Sequence, residues 1–271
     1  TNKENIKSLI RKYGRDSNVV RVRVDGEFPE QEDDVFIPLA WLENSIRTEM
    51  DEGTAKAFGE YIDEKGNKHT DRSGVQMIDI GCDVARFGDD KTVIGYKINE
   101  VAKIYKKKNG MDTTWTSGNI ARLFVALKDL YRFQKDIYVK IDDGGIGGGV
   151  TDQLKAIKRS NPELYANMII KPVHFGRPIS HKFYYDTTTY MMGVIREMIQ
   201  PFDEEGHPRK PTLILPSDND LFAQLSCRKY GFVGAKIKVE SKKEMKERGL
   251  PSPDEADCML LTCFPTKRKG Q

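Results

Sequence analysis

The sequence predicts an α/β fold: a mixed central sheet with helices on both faces. Three observations predict it. From Val75 onward, apolar runs of strand length alternate with longer segments whose apolar residues recur at helical spacing. The first three runs follow one another with no helix between them, so the sheet begins antiparallel. The later runs are separated by helices, the connection that parallel strands need.

Taken in order, "VQMIDIGCD" (75–83) is a buried strand, and "KTVIGYKI" and "EVAKIYKKK" form a hairpin beside it with a turn at Asn99. In "WTSGNIARLFVALKDLYRF", Ile120, Leu123, Phe124, Leu127, Leu130 and Tyr131 mark one face of an amphipathic helix. A strand in "DIYVKID", a helix in "GVTDQLKAIKR", a strand in "NMIIKPVHF" and a long helix in "HKFYYDTTTYMMGVIREMIQ" follow. A last helix opens in "SPDEADCMLLTCF", with Ser252 as cap and Pro253 in the first turn, and Ala256, Leu260 and Cys263 face the core. Residues 1–70 are polar and irregular by comparison, with a helix entered after Pro38.

Composition narrows the function. Forty-four Lys and Arg against 41 Asp and Glu leave a formal charge of +3, so any nucleic-acid surface must be local. Cys82, Cys227, Cys258 and Cys263 contain no CxxC pair and no zinc spacing with the four histidines, and read as reduced, buried thiols. No apolar run reaches bilayer length and no signal segment opens the chain, which places the expected location in a cytoplasm with no membrane partner. The start at Thr1, within a polar helix and without methionine, reads as a fragment of something longer.

Acids carry the chemistry. In open α/β sheets, sites form beyond the carboxyl ends of strands. Asp83 ends the first strand and Asp142 ends "IYVKID"; if those strands are neighbours, the two lie side by side. Asp254 and Asp257, three residues apart, share one face of the last helix. Carboxylates about 4 Å apart repel by roughly 4 kcal/mol at an effective dielectric near 20, and no lysine or arginine in their motifs is positioned to neutralise them. Such a set points to a bound cation, and oxygen ligands select Mg²⁺, Mn²⁺ or Ca²⁺. Two such ions can activate a water and stabilise a leaving oxygen in phosphodiester hydrolysis. Simpler readings exist: Asp89 and Asp90 suit a hydrated turn after Gly88, and Asp79 suits a lysine pair. The run "DDGGIGGGV" fits neither a P-loop nor GxGxxG; its glycines, Gly145 and Gly147 among them, would let a DNA backbone come close.

"GCDVARFGDDKTVI", "IDDGGIGGGVTDQL" and "VESKKEMKERGLPSPDEADCMLLT" together resemble the nuclease domain of the large terminase subunits of tailed bacteriophages, and "VRVRVDGEFPEQEDDVFIPLAWLE" resembles the segment leading into it from their ATPase domain. The resemblance implies a ribonuclease H-like, RuvC-type fold over 71–271, with 1–70 as a linker that would follow an absent ATPase domain. It implies a metal-dependent endonuclease that cuts concatemeric viral double-stranded DNA during packaging in the host cytoplasm. By position it assigns Asp83, Asp142 and Asp257 as catalytic metal ligands, with Asp254 and Asp89 as further ligands of two Mg²⁺ or Mn²⁺ ions. Asp143 would point to the opposite side of its strand. Partners implied for the full-length protein are the portal and the small terminase subunit. No GxxxxGK[ST] occurs, so motor activity should be absent.

Lys236, Lys238, Lys242, Lys243, Lys246 and Arg248 cluster before the last acidic motif and are candidate phosphate contacts, with a solvated hairpin as the plainer alternative. His174 and His181 could approach the site or be structural. A resolvase or transposase-like nuclease of the same fold, and a non-catalytic docking module for portal or small terminase, are the competing functions.

Overall fold

The computed structural model describes residues 3–13, 20, 24–25, 34–46, 60–62, 68–70, 74–85, 90–203 and 205–266. In chain order the elements are α1 (Lys3–Tyr13), α2 (Leu39–Ser45), the small pair β1 (Glu60–Ile62) and β2 (Lys68–Thr70), β3 (Ile78–Asp83), β4 (Lys91–Ile98), β5 (Val101–Asn109), α3 (Thr113–Tyr131), β6 (Ile137–Asp142), α4 (Gly147–Ser160) and β7 (Met168–Val173). Then come α5 (Thr187–Ile199), α6 (Asn219–Ser226), the hairpin β8 (Tyr230–Val233) and β9 (Lys236–Val239), α7 (Lys242–Glu247) and α8 (Asp254–Cys263).

The central sheet has the order β5-β4-β3-β6-β7. β3 pairs antiparallel with β4 and parallel with β6, so the mixed sheet expected from the sequence is present. Asn99 makes the β4–β5 turn in a left-handed conformation (φ 48°), and its side chain holds the start of β3 through the Gln76 and Met77 N–H groups. One face of the sheet meets α3 and α4 through Ile80, Cys82, Ile141, Phe124 and Leu154. The other meets α5, α6 and α8, and Phe36, Ile37, Leu39 and Leu42 of the N-terminal segment join that second core.

The contact that shapes the molecule is α8 on β3 and β4. Gly81 and Gly95 are register partners on adjacent strands. A Cβ on Gly81 would collide with Thr262 and the Cys258 carbonyl, and one on Gly95 with Met259. The paired glycines therefore form a slot that lets α8 lie closer to the sheet than side chains would permit. All ten residues of α8 are buried in consequence, so the two-faced helix expected from the sequence is instead enclosed on every side.

Three other details differ from the sequence expectation. Leu130 of α3 is 43% exposed, while the remaining five apolar positions are buried. α5 starts late, at Thr187, where the Asp186 carboxylate accepts from the Thr189 N–H at 2.8 Å and sets the start. α8 begins after Pro253 with no side-chain cap, so Ser252 is not the cap; Asp254, Glu255 and Asp257 in the first turn favour that positive end of the helix dipole instead. Cys82, Cys258 and Cys263 are buried free thiols, as the sequence implies, and Cys227 is half-buried. None of the described helices is long and apolar enough to cross a membrane.

Candidate metal centre

Register places the acids. Cys82 of β3 lies beside Ile141 of β6, so the next residues, Asp83 and Asp142, stand at adjacent carboxyl ends of two parallel strands. The glycine slot brings the first turn of α8 to the same edge, and with it Asp257. One ammonium sits among them: Lys242 Nζ, from α7, lies 2.9 Å from Asp257 Oδ2 and 3.5 Å from Asp83 Oδ1. Asp142 Oδ1 is held from the other side by the Gly144 N–H at 3.0 Å.

Burial pushes the Asp83 carboxyl well above the usual carboxylate range; the Lys242 ammonium opposes this, and the Asp257, Asp254 and Asp142 charges add to it. Asp142 is raised by burial and by Asp257, against the Gly144 N–H and Lys242. Burial alone would disfavour the charged Lys242, yet the neighbouring Asp257 and Asp83 hold its pKa above the ordinary lysine value. The acids thus meet at one edge, but the expectation that no lysine or arginine in their motifs neutralises them is wrong. Lys242, twelve residues before Asp254 in the same quoted segment, does so for Asp83 and Asp257. Arg228 also does so for Asp257, its Nη2 lying 3.4 Å from Asp257 Oδ1. Nothing in "LSCRKYG" marks that arginine, because its role comes from tertiary placement at the end of α6.

The other predicted residues divide. Asp254 is buried beside the group, its Oδ2 accepting from the Lys91 N–H at 2.7 Å, and burial raises its pKa. Asp89 lies outside the described residues, and Asp90 is exposed. Asp79 makes a lysine pair, 3.1 Å from Lys140 Nζ, and Asp143 anchors α4 by accepting from Thr151 Oγ1 at 2.9 Å. Gly145 takes a positive φ of 63°, and Gly147 must be glycine because a Cβ would fall on the Asp142 carbonyl oxygen. Of the basic cluster, Lys242 turns inward and Arg248 is tied to Glu240 (2.9 Å) and the Cys227 carbonyl (2.7 Å). Lys243 and Lys246 are exposed, and Lys236 and Lys238 are half-exposed on β9. His174 Nε2 is 3.9 Å from Asp143, at the edge of the site. His181 stacks on Tyr184, with ring centroids 4.9 Å apart, and its Nδ1 accepts from two backbone N–H groups, which is a structural role. Glu255 went unnoticed in the sequence and is also structural: it is fully buried against Lys91 (2.7 Å), Lys107 (3.4 Å) and Gln224 (2.5 Å).

No family model matches the chain, and neither does any curated protein. Solved structures do. The nuclease domain of the large terminase subunit gp2 of bacterial virus Sf6, in a mutant form with manganese and beta-thujaplicinol, superposes with a TM-score of 0.60 at 15% identity, over 85% of this chain and 99% of that one. A further structure of the same viral domain gives 0.57 at 15% identity, over the same shares of each chain. A mutant form with calcium gives 0.54 at 14% identity, again over 85% and 99%. The fold is the ribonuclease H-like fold of the terminase nucleases.

The chemistry of the residues present fits a divalent cation: Asp83 and Asp257 are carboxylates, and a lysine ammonium already occupies the space between them. Among the described residues, the one group of three acidic or histidine side chains whose ligand atoms all lie within 4.8 Å of one another is elsewhere: Asp203, Glu205 and His207 on the turn after α5, with Glu205 and His207 exposed and Asp203 half-exposed. That turn is closed by its own backbone hydrogen bonds to Asp203.

Proposed function

We propose that the chain is the nuclease domain of a large terminase subunit: a metal-dependent endonuclease that cuts concatemeric viral double-stranded DNA during genome packaging. The observation that carries this reading is that Asp83 and Asp257 share one ammonium at the carboxyl edge of a terminase-like sheet, with Asp142 at the end of the neighbouring parallel strand. Asp83, Asp142 and Asp257 would hold Mg²⁺ or Mn²⁺, with Asp254 and Asp89 as the further ligands proposed for a pair of such ions. When bound, such ions supply Lewis-acid activation of a water and stabilisation of the leaving oxygen.

The chain's own residues prepare that chemistry. The Gly144 N–H fixes the orientation of Asp142, and the Lys91 N–H does the same for Asp254. Lys242, 43% exposed along its side chain, neutralises the carboxylates in the metal-free protein and can swing outward when a divalent cation takes its place. Lys236, Lys238, Lys243 and Lys246 are partly or fully exposed and would meet phosphates, Lys243 from a solvent-exposed pair with Glu247, a small local charge suited to a domain held on DNA by a larger protein. Residues 1–70 serve in this reading as the linker from an ATPase domain, through which the portal and small terminase would be met in the host cytoplasm.

The test is nicking of supercoiled plasmids of unrelated sequence by the chain with Mn²⁺. Cleavage should require the metal and stop with EDTA. Undiminished cleavage in EDTA would exclude the metal mechanism.

A further inference from the structure

Asp257 presents two oxygens to two cations of different character. Oδ2 faces Lys242, whose side chain is partly in solvent. Oδ1 faces Arg228, whose side chain is 1% exposed and among the largest fully buried ones in the protein. The backbone around Arg228 is pinned at three successive residues. The Cys227 carbonyl accepts from Arg248 Nη2 at 2.7 Å, the Arg228 carbonyl accepts from the Phe36 N–H at 3.0 Å, and the Lys229 N–H donates to Glu240 Oε2 at 2.9 Å. Within the core, Arg228 Nε donates to Met245 Sδ at 3.2 Å, and Met245 belongs to α7, the helix that also carries Lys242. Arg228 Nη1 is buried with no hydrogen-bond partner among the described residues, so the guanidinium keeps a spare donor beside the one that Asp257 uses.

We infer that Arg228 is a positioning residue for the metal centre. It clamps Asp257 by Oδ1 so that Oδ2 is aimed at the place where a divalent cation replaces Lys242. The two cations have separate tasks: Lys242 must leave for a metal to enter, and Arg228 must stay. A planar guanidinium presents its N–H groups in a rigid fork that fixes the plane of a carboxylate, whereas an ammonium with three rotatable donors holds its charge without fixing its orientation. Partners that orient a metal ligand from behind typically contribute about 10–100-fold in metal affinity when removed. The inference rests on the metal reading above and adds to it a residue that touches neither metal nor DNA.

The experiment is calorimetric titration of Mn²⁺ into the whole chain at one fixed pH, for the parent, Arg228→Lys and Arg228→Met, with folding checked by circular dichroism. The parent should bind. Arg228→Met should bind about 10–100-fold more weakly. Arg228→Lys, which keeps the buried charge and loses the fork, should fall between them. A folded Arg228→Met with the parent's affinity would overturn the inference, as would melting temperatures that fall in both variants while their Mn²⁺ affinities stay at the parent's value. If Arg228→Met does not fold, Arg228→Lys decides: weaker binding supports the clamp and parental binding removes it. A parent that takes up no Mn²⁺ would fail at the earlier step, and the metal reading would fall with this inference.

Discussion

Strand β3 carries two aspartates on the same face, four residues apart, and each has a lysine. Asp79 pairs with Lys140 of β6, a side chain 1% exposed whose ammonium also donates to the carbonyls of Thr262 (3.3 Å) and Phe264 (2.6 Å) at the end of α8. Every proton of that ammonium has a protein acceptor. Asp83 pairs with Lys242 at 3.5 Å, but that lysine comes from a short surface helix, shares itself with Asp257, and is 43% exposed. The contrast teaches what separates a structural ion pair from a site. Burial and acidity are common to both. An excess of carboxylates around a cation that can leave belongs to Asp83 alone.

The largest expected effects come from changing one acid at each end of β3, Asp142 beside Asp83 and Asp79 itself. Asp142→Asn should reduce Mn²⁺-dependent nicking by about 10³-fold, the several kcal/mol a metal ligand contributes to a phosphoryl transition state, while the metal-free protein stays as stable as the parent. The asparagine keeps the oxygen that accepts from Gly144. Asp79→Ala should behave the other way. Stranding the buried Lys140 should lower unfolding stability by about 3–5 kcal/mol in urea titrations, and the protein that remains folded should still cut. Loss of stability in Asp142→Asn with retained cutting would reverse the two assignments.

A smaller effect concerns the cation itself. Saturating Mn²⁺ at one hundred times its Kd should stabilise the parent by about 2.7 kcal/mol, read as a rise in Tm. In Lys242→Ala, the Tm in EDTA should fall, and Mn²⁺ should bind roughly three- to tenfold more tightly because no ammonium competes for the carboxylates. Weaker Mn²⁺ binding in that variant would mean that Lys242 helps to hold the site open rather than filling it.

The smallest is a pH effect. Asp83 has a folded-state pKa raised above its unfolded value, by burial first, so its ionisation works against the fold. That penalty is absent below the unfolded pKa, grows as pH rises, and is complete above the folded one. In EDTA, the stability of Asp83→Asn relative to the parent should therefore increase from acid toward neutral pH. A gap that is constant with pH, or that shrinks, would contradict the burial argument.

Much of this was legible in the residues. Period-two and helical spacing located β3 to β7, and acids at two strand ends pointed to one edge. Asp254 and Asp257 on one helix were visible for the same reason. Other features could not be read because they depend on contacts distant in sequence. Gly81 and Gly95 look like ordinary strand glycines until the register pairs them under α8. Arg248 and Lys242 look like neighbours in a phosphate-binding run, yet one ties Glu240 and the other enters the acidic site. Arg228 has no local pattern at all. The eight-residue α6 is too short for periodicity to separate from a loop.

The central claim is that the Asp83 end of β3 is a cation site and the Asp79 end is a sealed pair. Calorimetric titration of Mn²⁺ into the parent, Asp142→Asn and Asp79→Asn addresses both ends at once. The account predicts binding by the parent, loss of binding in Asp142→Asn, and parental affinity in folded Asp79→Asn. Parental Mn²⁺ affinity in Asp142→Asn would contradict it.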